Sequence, residues 1–519
     1  MPVPMFRRAG HLLRRLVGSV LASAAMLAGA DSLPPTVRLA LDQARVPAES
    51  VSIWVQPVDA TGPTLAINAT QPMNPASVMK LVTAFAALDR LGPAHTWTTR
   101  IATDGNVQNG ILDGNLYLIG GADPMLGYDR LWKMLRRVRA LGIDTIRGDI
   151  VLDGSALSLP PHDPDAFDGR GLRPYNSGPH GLLLNWNTLQ LALTPAAHAN
   201  EAVTVAAEPP LAGIAIDNRL VTSAAPCVVW YRDLDARLDP GPRLVLNGTL
   251  PASCGPRNWS AAPLAPADYG AALVGGLWRE IGGTLQGRIR AGTAPATALP
   301  RFSEDSPPLA DVVRDMNKWS SNVIARQLLA TLGAIGASNG EPGGTDMVVG
   351  GARVAANQLT SAGIDTGGLV IENGSGLSRI ERITAATLGQ LLVTAWRRPW
   401  MPEYISALPV AGVDGTARKR LAGSPANGQA HIKTGTLNGV RAIAGYLLDH
   451  SGQRHVVVMM VNHAEAADTA AAQDALLEWI WAGGLQPAQS LSSSAACCDS
   501  SAPASRVPPG TAPTAPPGR

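Results

Sequence analysis

Aromatic and charged side chains are scarce in this sequence. Only 4% of the 519 residues are aromatic and 16% are charged, whereas 46% are hydrophobic. A chain of this composition can bury large cores and is not disordered overall. The formal charge of +2 at pH 7 gives no strongly basic domain, so we expect no nucleic-acid partner.

Long apolar runs are also absent. The run from Leu16 to Leu27 is shorter than the roughly 20 residues that a membrane-spanning helix needs, and no later run approaches that length. Four arginines precede it and Ala28-Gly29-Ala30 follows, which is the order of a secretory signal peptide. We therefore predict a signal peptide at residues 1–30, an exported mature protein and no stable membrane anchor.

Cysteine occurs only four times. In an exported protein Cys227 and Cys254 could form a disulfide, and we expect that pairing. Cys497 and Cys498 are adjacent, without metal or redox spacing, in a Ser/Ala/Pro-rich stretch at 486–519 that we predict to be a disordered tail. The histidines also lack ligand spacing, so we expect no metal and no cofactor.

The length of the chain favours several domains, and the two ends differ from the middle. Residues 96–299 contain short β-like runs between Gly, Pro, Asp and Asn, with few helical periods, which predicts one or two inserted β-rich domains. The ends, 31–95 and 300–485, would then form one discontinuous domain. The pattern there predicts helices at Thr36–Arg45 and Ala464–Trp481 and strands at Val51–Val58, Thr64–Ile67, Ala430–Leu437, Val440–Leu448 and His455–Val461.

Ser77 and Lys80 stand at the start of a helical pattern that runs to Gly92. Because residues three apart share a helix face, the Lys80 amine can lie beside the Ser77 hydroxyl. A serine becomes a strong nucleophile only when a neighbouring base takes its proton, and lysine is such a base only with a lowered pKa. The alternative is a helix-capping serine followed by a surface lysine. Lysine is rare here, however, occurring only at Lys80, Lys133, Lys318, Lys419 and Lys433.

A second lysine lies in the sequence Lys433-Thr434-Gly435, within the predicted strand Ala430–Leu437. Lys433 and Gly435 would face one side of the strand, while Thr434 and Thr436 would face the other. Gly435 would allow the backbone to approach a ligand closely. The alternative is an ordinary edge strand whose lysine discourages aggregation.

A third short pattern, Ser320-Ser321-Asn322, separates two predicted helices, Leu309–Met316 and Val323–Leu332. Taken alone it is weak evidence, because Ser and Asn are common helix N-caps. In chain order the three patterns form the S-x-x-K, S-x-N and K-T-G set of penicillin-binding proteins and β-lactamases.

With these motifs the chain resembles, over about residues 33–484, the D-alanyl-D-alanine carboxypeptidase/endopeptidase family, the class C low-molecular-mass penicillin-binding proteins of the penicillin-binding protein 4 type. Three more stretches look like that family, namely Leu116–Pro124, Glu372–Arg379 and Pro409–Thr416. The long interval between Ser77 and Ser320 is similar to the inserted domains of the family. Ser321 departs from it, since many relatives have aspartate at that variable position.

The resemblance implies an α+β fold of the serine β-lactamase/transpeptidase type. An antiparallel five-stranded sheet would be flanked by helices and an α-rich lobe, with the β-rich insertion attached. It also implies a periplasmic enzyme that acts on peptidoglycan stem peptides ending in D-Ala-D-Ala and is acylated by β-lactams. The balance between carboxypeptidase and D,D-endopeptidase action stays open.

The resemblance further implies the roles of individual residues. Ser77 attacks the carbonyl of the penultimate D-Ala, and Lys80 accepts its proton. Ser320 relays a proton to the leaving nitrogen, and Asn322 orients Lys80 and the substrate amide. The substrate carboxylate would be held by Lys433, Thr434, Gly435 and Thr436, and the oxyanion by the backbone N–H groups of Ser77 and Thr436, with Arg379 adding positive charge near the cleft.

Two alternatives stay open. A β-lactamase would share all three motifs, although the long insertion argues against it. A non-catalytic cell-wall-binding protein could keep the fold without activity. Turnover of penicillin distinguishes the first alternative, and the absence of a penicillin adduct distinguishes the second.

Overall fold

A computed structural model describes residues 32–341 and 345–485. The predicted signal peptide, the predicted tail and Cys497 and Cys498 lie outside these residues. Within them, no helix is long and apolar enough to cross a bilayer. The described α-helices are α1 (Pro35–Gln43), α2 (Lys80–Leu91), α3 (Tyr128–Ala140), α4 (Pro266–Glu280), α5 (Leu309–Trp319), α6 (Asn322–Ser338), α7 (Met347–Ser361), α8 (Ala385–Trp396), α9 (Met401–Ser406) and α10 (Ala470–Trp481).

Within the described residues the strands fall into five sheets. In chain order the strands are β1 (Val51–Pro57), β2 (Leu65–Ile67), β3 (Thr98–Thr103), β4 (Asn106–Gln108), β5 (Ile111–Asp113), β6 (Leu116–Ile119), β7 (Thr145–Ile146), β8 (Ile150–Asp153), β9 (Leu189–Thr194), β10 (Thr204–Glu208), β11 (Ala215–Ser223), β12 (Leu234–Asp239), β13 (Arg243–Pro251), β14 (Arg257–Ala261), β15 (Thr284–Leu285), β16 (Ile289–Ala291), β17 (Leu299–Asp305), β18 (Ala430–Leu437), β19 (Val440–Leu448) and β20 (Arg454–Asn462).

The central sheet combines both ends of the described chain in the order β18-β19-β20-β1-β2, with every neighbouring pair antiparallel. Helices α1 and α10 cover one face, where Leu41 and Leu476 join the core. Helices α2 and α8 cover the other face, where Phe85 and Leu388 are buried. Because both faces are covered, β19 and β20 carry near-continuous apolar sequence. The expected α+β fold with its five-stranded sheet is confirmed.

The helical lobe beside this sheet depends on a close helix pair. Helices α6 and α7 approach through Gly333 and Gly351, where an added Cβ would collide with the backbone oxygens of Met347 and Leu329. This packing, together with α5 and α2, forms one apolar cluster that extends to the sheet. The connection between α5 and α6 is thereby held against the start of α2, which sets the geometry of the site.

The middle of the chain is less purely β than the sequence suggested. Helices α3 and α4 pack together against the sheet β16-β8-β6-β3-β17, in which β6, β8 and β16 run parallel. The sequence predicted few helices here, and the structure has these two; Leu131, Met134, Leu135 and Val138 form the apolar face of α3.

The middle region also extends beyond residue 299, where the sequence predicted its end. Strand β17 crosses that position and pairs antiparallel with β3, so the sheet of the middle region continues to Asp305. Its hydrophobic alternation is weak, with only Phe302 buried, and this explains why sequence periodicity did not place it.

A second part of the middle region contains two small three-stranded sheets, β10-β9-β14 and β11-β13-β12, around one apolar cluster. Cys227 and Cys254 form a disulfide beside this cluster, with Cα atoms 5.0 Å apart. A core this small buries a limited fraction of its surface, so a cross-link that restricts the unfolded chain stabilises it.

Candidate active site

Ser77 lies in a short 3-10 turn, Ala76–Met79, and α2 begins only at Lys80. The sequence predicted that Ser77 would open the α-helix itself. The tighter turn brings the side chains of Ser77 and Lys80 closer together, because residues three apart eclipse one another in a 3-10 helix. Lys80 Nζ is 3.1 Å from Ser77 Oγ.

Lys80 is fully buried, and its amine has two further partners. Nζ donates to Asn322 Oδ1 at 2.7 Å and to the backbone oxygen of Ser375. Burial, followed by the charge of Lys433, lowers the pKa of Lys80 well below its usual value. A neutral amine placed in this way donates to Asn322 and Ser375 and keeps its lone pair for the Ser77 proton.

Ser320 and Asn322 lie on the sharp connection between α5 and α6. Ser320 caps α5 in the left-handed conformation, with φ 58°, and its hydroxyl accepts from Lys433 Nζ at 2.9 Å. Ser321, not Ser320, is the N-cap of α6, since its side chain accepts from the Ile324 N–H. Asn322 begins the helix and directs Oδ1 to Lys80.

Lys433 is fully buried in β18, at the edge of the central sheet. Its amine donates to Ser320 Oγ and, at 2.8 Å, to the backbone oxygen of Thr434. Burial lowers the pKa of Lys433 to about 7. Both lysine amines therefore lie in one buried interface between β18, the start of α2 and the connection between α5 and α6, which we call the buried seam. Lys80 contacts Ser77 there, and Lys433 contacts Ser320.

The residues that follow Lys433 differ in exposure. Thr434 is half-buried and donates to Thr416 Oγ1 at 2.8 Å, whereas Thr436 is exposed. Gly435 is buried, and an added Cβ would lie 2.6 Å from the backbone oxygen of Pro75 and 3.1 Å from Ser77 N. The sequence assigned Gly435 to the close approach of a ligand. In the structure it admits the protein's own backbone, which brings β18 against the Ser77 turn.

Arg379 lies at the far end of β18 from the lysines. Its guanidinium donates to the backbone oxygen of Asn438 at 3.2 Å and lies 4.9 Å from the ring centre of Phe167, in the middle region of the chain. The structure thus groups Ser77, Lys80, Ser320, Asn322 and Lys433 and places Arg379 apart from them.

Sequence reasoning missed Glu381, a fully buried carboxylate behind Lys80. Its Oε1 accepts the backbone N–H groups of Glu372, Asn373 and Gly374 at 3.2, 3.0 and 2.8 Å. Burial raises the pKa of Glu381, while these N–H groups and Lys80 act in the opposite direction. The carboxylate shapes the loop that supplies the Ser375 oxygen to Lys80. A glycine-rich turn with several unpaired N–H groups needs an acceptor, and this need was the sequence signal that could have indicated a nearby buried carboxylate.

A partly exposed ion pair supports the other side of the site. Lys318 Nζ lies 2.6 Å from Asp414 Oδ2, and Asp414 Oδ1 accepts the Val410 N–H. The pair joins the end of α5 to the loop that carries Thr416. Burial remains the first influence on Asp414, yet the contacts with Lys318 and Val410 hold the pKa of that carboxyl below its usual value.

The middle region contacts the site directly. Arg326, in α6, donates to the backbone oxygens of Tyr175 and Ser177 at 3.2 and 2.9 Å. Burial lowers the pKa of this guanidinium to about 10. These bonds fix a loop of the middle region beside Asn322, whose amide also reaches the Tyr175 oxygen at 3.4 Å.

Comparison with known proteins agrees with this geometry. The profile of the D-Ala-D-Ala carboxypeptidase 3 (S13) family matches residues 36–482. A D-alanyl-D-alanine carboxypeptidase of Actinomadura sp. (strain R39) is 32% identical over 432 residues, covering 78% of this chain and 76% of the relative.

Two structures of penicillin binding protein 4 (dacB) from Haemophilus influenzae share the fold at 24% identity. One has a TM-score of 0.71 and covers 86% of this chain and 99% of its own. The other, complexed with a β-lactam, has a TM-score of 0.68 and covers 86% and 100%. Fold and matches together define a serine-type carboxypeptidase of the penicillin-binding class. The chain belongs to the D-Ala-D-Ala carboxypeptidase 3 (S13) family.

Proposed function

We propose that this protein hydrolyses the D-Ala-D-Ala bond of peptidoglycan stem peptides through an acyl-enzyme at Ser77. The observation that carries the proposal is the buried Lys80 amine, in contact with both Ser77 Oγ and Asn322 Oδ1. A base with a lowered pKa beside a serine hydroxyl is the requirement for nucleophilic catalysis near neutral pH.

In the proposed reaction Ser77 Oγ attacks the carbonyl of the penultimate D-Ala while Lys80 accepts the hydroxyl proton. The C–N bond breaks as a proton passes through Ser320 to the leaving nitrogen, so D-Ala departs as an amine and the shortened peptide stays esterified to Ser77. Water then hydrolyses the ester. The 2.9 Å contact between Lys433 and Ser320 supports the relay, because it links Ser320 to the second lysine.

We assign the contacts with the rest of the substrate to residues along β18 and at its two ends. Lys433, Thr434 and Thr436 would hold the carboxylate of the leaving residue, and the N–H groups of Ser77 and Thr436 would stabilise the oxyanion. Arg379 is the candidate contact for the acyl peptide at the opposite end. Gly435 acts indirectly, by allowing the Ser77 turn to approach the strand.

Inhibition by β-lactams follows from the same step. A β-lactam would acylate Ser77, and its opened ring would remain attached where water must enter. We also propose that residues 1–30 are an export signal, that the enzyme acts in the periplasm, and that residues 31–95 and 306–485 form one catalytic unit around the insertion. The closure of the central sheet by both ends of the described chain supports this division.

Intact-mass spectrometry with benzylpenicillin tests the proposal. We expect the mature protein to gain the mass of one penicillin for many minutes, and Ser77→Ala to gain none. Ser338→Ala, at an exposed serine of α6 whose hydroxyl contacts only its own helix, should behave as wild type. Rapid penicillin hydrolysis without an adduct would instead identify a β-lactamase, and neither adduct nor hydrolysis a non-catalytic wall-binding protein.

A further inference from the structure

A cavity of about 1290 Å³ lies within the middle region of the chain and has no part in the mechanism described so far. Strand β12, Trp259 of β14 and the segment that follows β8 supply much of its lining. Its volume exceeds the roughly 300–1,000 Å³ that is usual for small-molecule sites. The cavity is therefore large enough for a segment of a polymer, such as several residues of a peptide.

Strand β12 lines this cavity with five consecutive residues, Leu234–Leu238. Because successive side chains of a strand point to opposite faces of the sheet, a cavity on one face would be lined by alternate residues. The consecutive residues indicate that the edge of β12 borders the cavity. β12 is the last strand of its sheet and pairs with β13, and no other described segment bonds to the backbone of Leu234–Leu238. Its outer N–H and C=O groups are therefore open to pairing with an additional strand.

Positive charge predominates in the lining of this cavity. The lining contains four arginines and two aspartates, namely Arg170, Arg173, Arg232, Arg237, Asp165 and Asp235. Arg237 pairs with Asp239, but the other three arginines have no ion pair within residues 32–341 and 345–485. Arg173 instead lies over the Trp259 ring, 5.3 Å from its centre. Guanidinium groups without a protein carboxylate are suited to the carboxylates of a ligand, which they bind through two parallel hydrogen bonds.

Apolar side chains are exposed in the same lining. Tyr231 is 53% exposed and Leu238 is 38% exposed, and both border the cavity. An extended peptide presents successive side chains to opposite sides, so its apolar residues can pack on Tyr231 and Leu238 while acidic residues between them reach the arginines. Its backbone can join β12 as an additional strand, a binding mode in which main-chain pairing gives affinity and side-chain contacts give specificity.

A loop of the middle region separates this cavity from the catalytic residues. Ser177 and His180 line the cavity, whereas Ser77 and Lys80 do not. The backbone oxygens of the same two loop residues accept, each at 2.9 Å, from side chains of α6: Ser177 from Arg326 Nη1 and His180 from Gln327 Nε2. The loop is therefore held against the helix that begins at Asn322, and the cavity lies behind it as a separate site.

We propose that β12 and this cavity form a docking groove for an extended acidic peptide of a partner protein. The peptide pairs with the open edge of β12, and its carboxylates bind Arg170 and Arg232. A second copy of this chain fits the groove less well, because edge pairing of two copies would bring the same arginines together. The groove is separate from the catalytic site, so this inference does not depend on the proposed function.

Fluorescence anisotropy with a labelled peptide of alternating valine and glutamate, six residues long like β12, tests the groove. We expect saturable binding to the wild-type protein. The double variant Arg170→Gln/Arg232→Gln should bind about tenfold more weakly, at about threefold for each lost charge. The matched control is Arg243→Gln, at an exposed arginine of β13 that does not line the cavity, and its affinity should equal that of wild type. No binding to wild type, or equal affinity of wild type and the double variant, would overturn the inference.

Two further measurements test the backbone pairing and the separate location. Methylation of every backbone nitrogen of the peptide removes its N–H donors and should weaken binding about tenfold or more. Equal binding of the methylated peptide would show that β12 does not pair with it. Saturating benzylpenicillin should leave the affinity unchanged, and displacement of the peptide would place it in the catalytic cleft instead. A dimer of the protein that dissociates as the peptide binds would identify a second copy as the natural occupant. Each of these three results would overturn the docking groove.

Discussion

The central sheet and the small sheets of the middle region differ in how much of their surface is exposed to water. Strand β20 has seven consecutive buried residues, whereas no residue of β12 is fully buried. β20 lies inside its sheet under helices on both faces, while β12 lies at the edge of a three-stranded sheet. The central sheet therefore provides a low-dielectric environment, whereas the small sheets expose their side chains to solvent.

We expect the two regions to have different roles in the enzyme. The buried seam lowers the pKa values of Lys80 and Lys433, which surface lysines could not achieve. The middle region contributes side chains at the rim of the site, such as Phe167 beside Arg379 and Trp186 in a cavity beside Ser320. We therefore expect the chemistry to depend on the burial of the first region and the choice of substrate to depend on the surface of the second.

The largest effect is expected from a comparison of two lysines, one in the catalytic region and one in the middle region. Lys80→Met should reduce the rate of acylation by benzylpenicillin about 10³-fold, because it removes the base beside Ser77. Lys80→Arg should not restore it, since a guanidinium does not release its proton near neutral pH. Lys133→Met, on the exposed face of α3, is the control and should acylate as wild type does. Equal loss in both variants would contradict the division.

The second test uses the pH dependence of stability. The folded pKa of Lys433 is about 7, below its unfolded value of about 10.5, so the unfolded state binds more protons between these values. Stability should therefore rise with pH across this window, and flatten below and above it. Relative to Lys433→Met, the free energy of unfolding of wild type should rise by up to about 1.4 kcal/mol per pH unit.

Chemical denaturation at several pH values measures that slope. Lys133→Met provides the comparison from the middle region, and its stability curve should run parallel to that of wild type. A wild-type curve that is also parallel to that of Lys433→Met would show that the folded seam does not disfavour the charged lysine.

The third test acts on the middle region alone. Replacing both Cys227 and Cys254 with serine removes a cross-link between positions 27 apart, which should destabilise this region by about 3 kcal/mol. Hydrogen exchange should become faster in β11, β12 and β13 and remain unchanged in β18, β19 and β20. Acylation by benzylpenicillin should keep its wild-type rate. Faster exchange throughout both regions would indicate that they unfold as one unit.

Sequence patterns identified the buried region well, because its signals are strong and local. The bounds of the strand Ala430–Leu437 were predicted to the residue, and all five residues of the group that includes Lys80 were named from short motifs. The middle region was described less well. Its strands are short, its alternation is weak, and the helical face of α3 was overlooked among many β-like runs.

Other parts of the site depend on contacts between distant segments, which sequence spacing does not encode. Trp319 and Trp186 meet across one cavity only because α5 and the middle region pack together. Gly435 looked like a ligand contact, yet its neighbour is the backbone of Pro75. Glu381 gave only an indirect sign, a nearby glycine-rich turn that needs an acceptor, because its partners are three backbone N–H groups in a loop without regular structure.

Glu381 therefore gives the finest test of the buried region. Glu381→Gln keeps an acceptor but loses the charge that strengthens its bonds to Glu372, Asn373 and Gly374, so we expect about 2 kcal/mol of destabilisation. The loop that presents the Ser375 oxygen to Lys80 should loosen, and acylation should slow about tenfold. Glu372→Gln, at an exposed carboxylate of the same loop, is the matched control and should change neither quantity. If Glu381→Gln lost stability but kept the wild-type acylation rate and pH profile, Glu381 would be a structural residue that does not position Lys80.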